Sequence, residues 1–306
     1  MPLLTRDAAG FHVIAATPFA EDGALDLPGI DRLTDFYLGC GVDGMTVLGV
    51  MGEAPKLTPE ESRAAAARFI ARAGISVIVG VSAPSVAQIV DLARFSMDAG
   101  AAGVMVAPQP GLKTEAAAFA YMAQVLDALG PEIPVCFQDY PQLTGVHVTA
   151  ATILRLSREF PQVVMLKHED CPGLNKLTAV REGEASGGGP RLSVLCGNGG
   201  LHLPQELARG ADGGMTGFAW PEVLVEVVRR HRAGDPEGAE DLFDVWLPLI
   251  RHEVQPGLGL ALRKEVLHRR GALPSPTVRA PGPRLTAADR AELDALITRA
   301  ERRAAG

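Results

Sequence analysis

The stretch Val163-Val164-Met165-Leu166-Lys167 is a short apolar run closed by a lysine. So short a run, rich in apolar residues and bounded by polar ones, reads as a strand buried on both faces rather than as an amphipathic helix. Runs of the same kind lie on either side of it. Upstream are HVIAA from His12, GMTVL from Gly44, ISVIVGV from Ile75, GVMVA from Gly103 and IPVCF from Ile133; downstream are LSVLC from Leu192 and GGMTG from Gly213. The first seven starts recur at intervals of roughly 30 residues, the length of one strand-plus-helix unit. A helical pattern fills each interval. The clearest begins at Thr58, where Thr58-Pro59-Glu60-Glu61 offers a capping box with proline at the first helical position, ahead of the alanine-rich ESRAAAARFIARA. Others cover 29–38, 86–97, 114–129, 150–159, 173–181, 203–208 and 221–232. Eight strand-then-helix units with near-continuous apolar strands predict an α/β chain folded as a (β/α)8 TIM barrel. An open doubly wound sheet is the competitor, but no GxGxxG turn follows the first strand.

After about residue 233 the strand signal stops, and helical patterns follow near 235–251, 257–270 and 286–302. The expected division is a catalytic barrel over 1–233 and a C-terminal helical region over 234–306. The run GEASGGG between Glu182 and Pro190 reads as a flexible surface loop, with no GK[ST] after it to make a phosphate cradle.

Composition narrows the function. With 47% hydrophobic and 21% charged residues in 306, disorder and fibrous repeats are excluded. A net charge of -7 with no basic cluster argues against a nucleic-acid surface. Cys40, Cys136, Cys171 and Cys196 stand far apart with no CxxC pair, which points to reduced thiols and away from structural zinc. No run of about 18 apolar residues occurs, and the N-terminus lacks the pattern of a secretory signal, so a cytoplasmic protein is expected, with no membrane partner, metal or cofactor.

In such a barrel, chemistry belongs to the C-terminal ends of the strands, and Lys167 ends one of them. A lysine there is ordinarily a solvated rim residue. One that points inward loses water, which favours the neutral amine that attacks a carbonyl and forms a Schiff base; the protonated imine then accepts electrons from a breaking or forming bond.

Five motifs in order carry a resemblance: TPF at Thr17–Phe19, GVMGE at Gly49–Glu53, YP-x-x-TG at Tyr140–Gly145, LK at Leu166–Lys167 and GADGGMTG at Gly210–Gly217. The chain resembles the dihydrodipicolinate synthase and N-acetylneuraminate lyase superfamily over nearly its whole length. Its tail, RKEVLHRRG from Arg263 and VRAPGPRLT from Val278, is similar to that family's helical extension. The resemblance implies a class I aldolase-type Schiff base on Lys167 and a homotetramer built as a dimer of dimers. It also implies a substrate-binding set of Gly49, Val50, Met51 and Gly52, with Thr17, Pro18, Gly197, Asn198 and Met215.

The chain departs from that family's usual pattern at the site. Val50 and Met51 replace the paired threonines of GTTGE, although the backbone of Gly49 and Gly52 can still hold a carboxylate. Gln138 stands where the catalytic tyrosine is usual, and an amide cannot shuttle a proton. Leu143 takes the place of the arginine that binds the distal carboxylate in the lysine-biosynthesis enzyme, and Gln109 and Pro110 replace its tyrosine pair. Gly199 and Gly200 stand where sialic-acid lyases place acidic groups. Dihydrodipicolinate synthesis and long polyol substrates are therefore disfavoured.

Strand alternation suggests what replaces the tyrosine. If Lys167 points inward, so does Glu169, while His168 faces the helix layer; Gln138 and Tyr140 share a face. Glu169 and Tyr140 are the expected proton carriers, with a rim pairing of Glu169 to Lys176 as the alternative. Asp139 and Asp170 are expected as cap or loop groups, and Cys171 as structural. The leading function is a lyase, of aldolase or hydro-lyase type, acting on a short 2-oxo acid such as pyruvate or a pyruvate aldol through Lys167. A second reading is a non-catalytic or repurposed barrel that binds a 2-oxo acid as a sensor. A phosphate-binding barrel is a third, but no basic residue accompanies Gly197, Gly199 or Gly213–Gly217.

Overall fold

The computed structural model describes residues 2–305. Among them, eight strands close a parallel barrel in chain order: β1 Gly10–Ile14, β2 Gly44–Val47, β3 Ser76–Gly80, β4 Gly103–Val106, β5 Val135–Asp139, β6 Val163–His168, β7 Ser193–Cys196 and β8 Gly213–Thr216. β1 pairs with both β2 and β8, which leaves no open edge. The helices are α1 Leu27–Gly39, α2 Pro59–Ala73, α3 Val86–Asp98, α4 Glu115–Leu129, α5 Pro141–Thr144, α6 Ala150–Glu159, α7 Leu174–Ala185, α8 Leu203–Ala208 and α9 Pro221–Arg232. Three more follow: α10 Pro236–Glu253, α11 Gly259–Arg269 and α12 Ala287–Ala304. The TIM barrel expected from the spacing is the fold observed. No helix among the described residues is long and apolar enough to cross a membrane.

Local chemistry sets the helix starts. At α2 the capping box forms: Glu61 N donates to Thr58 Oγ1 at 3.2 Å, and Thr58 N donates to Glu61 Oε2 at 3.0 Å. Ser85, Thr114 and Thr149 cap α3, α4 and α6 in the same way, each accepting from a backbone N–H.

One expectation fails here. Residues 182–185 are not loop but the last turn of α7. Arg181 pairs with Glu184 at 2.7 Å, and Glu184 also accepts from Leu192 N at 2.8 Å, tying that turn to the approach of β7. Gly183 serves close packing rather than flexibility, because a Cβ there would collide with Leu154.

Register places the side chains. Lys167 lies opposite Gln138 on β5 and Leu195 on β7, and residues paired this way share a face of the sheet. Their neighbours Asp139 and His168 take the other face, where they meet α7 and the turn before it. Lys167 and Gln138 therefore project into the barrel. The tail folds back onto the same end: Lys264 of α11 donates to Thr17 O, just beyond β1, at 2.8 Å. Phe218, Trp220 and Trp246 pack α10 against the segment after β8, with ring centroids 5.4–6.4 Å apart.

Candidate active site

Lys167 is 5% exposed, and its Nζ lies 2.9 Å from Glu169 Oε2. Gln138 Nε2 donates to the same oxygen at 2.7 Å. The three side chains expected to share the barrel interior thus form one buried cluster, with the Glu169 carboxylate as its hub. The end of β7 positions that hub. Asn198 Nδ2 donates to Glu169 O at 2.8 Å, and Asn198 N approaches Glu169 Oε1 at 3.4 Å. Gly197 is required by the close approach, since a Cβ would strike the Glu169 side chain. Cys136 lies two residues before Gln138 on β5, but burial pushes its thiol up to about 12, so it is no nucleophile at neutral pH. Tyr140 begins the turn into α5. Burial first, then the Glu169 charge, raises its phenol above the ordinary value, so it remains a proton donor.

Behind the strands is a second cluster that corrects two expectations. Asp139 is a strand residue with a buried carboxylate rather than a cap or loop group. Lys176, the alternative partner for Glu169, instead reaches Asp139 Oδ2 at 2.8 Å and Asp170 Oδ2 at 2.7 Å. The cause is alternation: Asp139 follows Gln138 and so faces α7, which carries Lys176. Burial pushes Asp139 up to about 6, with Lys176 opposing the shift. His168 is lowered by burial, and its Nε2 lies 3.0 Å from Gly173 O; a carbonyl only accepts, so Nε2 carries the proton.

The loop after β2 is held from both ends. Thr17 Oγ1 donates to Gly52 O at 2.6 Å. Glu53, in the left-handed region at φ 53°, receives Lys264 Nζ at 2.5 Å, Lys56 Nζ at 2.8 Å and Arg279 N at 3.0 Å. Burial lowers Lys264 to about 8, with Glu53 opposing. Gly49 faces Ile14 and Met105 inside the barrel. The residues replacing the threonine pair diverge: Val50 is 50% exposed, whereas Met51 is buried with its sulfur against Gly217. Met215 is fully buried on β8 opposite His12. Pro18 packs beside Gly29 at the start of α1, and its carbonyl accepts from Asp26 N at 3.1 Å.

Two residues at this end of the barrel escaped the sequence reading, Arg263 and Lys264. The signal was a pair of basic residues among the apolar positions of α11, with Lys264 buried beside Leu262, Val266 and Leu267. Adjacent charges in an apolar helical stretch mark buried ion pairs.

The family model for the dihydrodipicolinate synthetase family matches residues 7–300. A dihydrodipicolinate synthase from Rhodopseudomonas palustris superposes with a TM-score of 0.96 at 51% identity, covering 98% of this chain and 100% of that one. YagE of Escherichia coli K12, solved in complex with pyruvate, gives a TM-score of 0.87 at 27% identity over 96% of this chain and 98% of its own. The L-2-keto-3-deoxyarabonate dehydratase of Azospirillum brasilense is 31% identical over 296 residues, 95% of this chain and 94% of its own length. With a match running almost end to end and a buried lysine near the C-terminal end of β6, this chain belongs to the dihydrodipicolinate synthetase family.

Proposed function

We propose that the protein is a lyase that forms a Schiff base between Lys167 and a short 2-oxo acid, pyruvate or a pyruvate aldol. The observation that carries this reading is the buried Lys167 amine at the C-terminal end of a barrel strand, 2.9 Å from Glu169. The amine adds to the ketone carbon and water leaves, giving a C=N bond. Its protonated nitrogen then takes the electron pair released when the neighbouring C–H or C–C bond breaks, forming an enamine. Glu169 accepts or returns the proton, Gln138 orients that carboxylate, and Tyr140 donates from the rim. The Gly49–Gly52 loop, fixed by Thr17 and Glu53, offers backbone N–H groups to the substrate carboxylate.

Elimination of a β-hydroxyl as water, or cleavage of an aldol, fits these groups better than dihydrodipicolinate synthesis. Gln138 cannot relay a proton, and Leu143 presents no charge to a second carboxylate. The names of the relatives include both a dehydratase and a putative aldolase. Residues 1–233 then form the catalytic barrel, and 234–306 the helical region that braces its mouth. We place the enzyme in the cytoplasm, as its free thiols favour, and as a dimer of dimers. Val50 and Leu143, each about half exposed beside the mouth, suit a subunit contact there. Incubation with pyruvate and borohydride tests the chemistry: a single reduced adduct is expected on Lys167, and an adduct on another lysine, or none with any short 2-oxo acid, overturns the reading.

A further inference from the structure

Arg263 of α11 is under-partnered for a residue so enclosed. Its side chain is 16% exposed, and its Nε lies 3.4 Å from Glu253 Oε2. Yet that Nε is buried without a well-aligned hydrogen bond. Glu253 is a weak counter-charge, because burial pushes it up to about 7 and one of its oxygens is spent on Ala219 N at 3.2 Å. Buried polar groups are ordinarily satisfied, so donors left free beside a site call for a ligand.

The surroundings show which site. Arg263 Nη2 lies 3.2 Å from the position a Cβ would take on Gly199, the residue after Asn198, which clasps Glu169. Gly199 sits at φ 66°, and any side chain there would meet Val254 as well as the guanidinium. The guanidinium therefore lies at the C-terminal end of β7, beside the Asn198–Gly199 segment that clasps Glu169. A planar fork of N–H donors suits a carboxylate, which it holds through paired, charge-assisted bonds.

We propose that Arg263 is a specificity-determining residue that binds a carboxylate at the far end of the substrate, so that the site prefers dicarboxylic 2-oxo acids. This rests on the Lys167 imine reading, which anchors the near end. The test compares 2-oxoglutarate and 2-oxoadipate with 2-oxopentanoate and 2-oxohexanoate. Calorimetric binding reads the preference whether or not an imine forms, and borohydride trapping with pyruvate reads Lys167 separately. The wild type is expected to bind the dicarboxylates ~10-fold or more tightly than their monocarboxylic partners. Arg263→Met should erase that ratio while leaving pyruvate trapping in place, and Arg263→Lys, which keeps a charge beside Glu253, should retain only part of it. If the single Met variant does not fold, Arg263→Met combined with Glu253→Gln removes both charges together. Equal affinities in the wild type, or a ratio unchanged in the Met variant, overturn the proposal. Failure of trapping alone overturns the imine reading instead.

Discussion

Replacing Glu169 by glutamine separates the two roles proposed for one carboxylate. Its Oε2 receives Lys167 Nζ at 2.9 Å and Gln138 Nε2 at 2.7 Å, with both ends of the ion pair under one-tenth exposed. The substitution keeps the shape but removes the charge and the capacity to take a proton. Breaking a buried pair from one side costs ~3–5 kcal/mol when the remaining charge stays. A stability loss in that range is expected from denaturant titration of Glu169→Gln. The catalytic loss is distinct: general acid–base catalysis contributes about 100-fold to 10,000-fold, or ~3–5 kcal/mol of barrel-site barrier at 1.36 kcal/mol per decade. Exchange of the pyruvate methyl protons with deuterated water, followed by NMR, measures enamine formation with no second substrate. Glu169→Gln is expected to slow that exchange by ~100-fold or more while borohydride still traps the imine. Tyr140→Phe should show a smaller loss. Unchanged exchange in the Gln variant refutes the proton-carrier role, and parallel loss of exchange and trapping shows that Glu169 serves only to hold Lys167.

Lys167→Arg keeps a cation beside Glu169 but cannot form an imine, so adduct mass should vanish with little change in melting temperature; an adduct that persists would place the nucleophile elsewhere. Glu53→Gln leaves Lys264 without its carboxylate partner at a site where both are buried, and a loss of ~3–5 kcal/mol is expected from denaturant titration. A loss under about 1 kcal/mol, the range of a surface pair, would mean that the loop is not held this way. His12 is held at about 4 by burial, against 6.5 for the free side chain. The unfolded chain therefore binds the extra proton between those values, and stability should fall by ~3 kcal/mol as pH drops from 6.5 to 4. Asp139, Glu206 and Glu253, all raised, slope the other way, so the check is the difference between wild type and His12→Asn. A flat difference profile would sink the assignment.

What the sequence revealed depended on separation along the chain. Each strand was legible because burial on both faces leaves an uninterrupted apolar run, and helix starts were legible where Thr58, Ser85, Thr114 or Thr149 marked them. The cluster of Lys167, Glu169 and Gln138 follows from two-residue alternation along the neighbouring strands β5 and β6. The same rule, applied one residue over, places Asp139 against α7, because β5 extends one residue past Gln138 and keeps Asp139 in the strand rather than in the following loop. Contacts between remote segments had no such signature. Lys264 meets Glu53 across 211 positions, and nothing periodic announces that α11 returns to the mouth. That return has a chemical consequence. On the proposed reading, Lys167 of β6 and Glu169 just beyond it make and discharge an imine, a task common to many 2-oxo acids. Arg263 and Lys264 are consecutive on α11, one beside Gly199 and proposed to bind the far carboxylate, the other bonded to Glu53 and Thr17 O and so holding the loop proposed to receive the near one. Changes in the tail can therefore alter which acid is accepted without touching the strands that carry out the reaction, and this is where selectivity among 2-oxo acids is best sought.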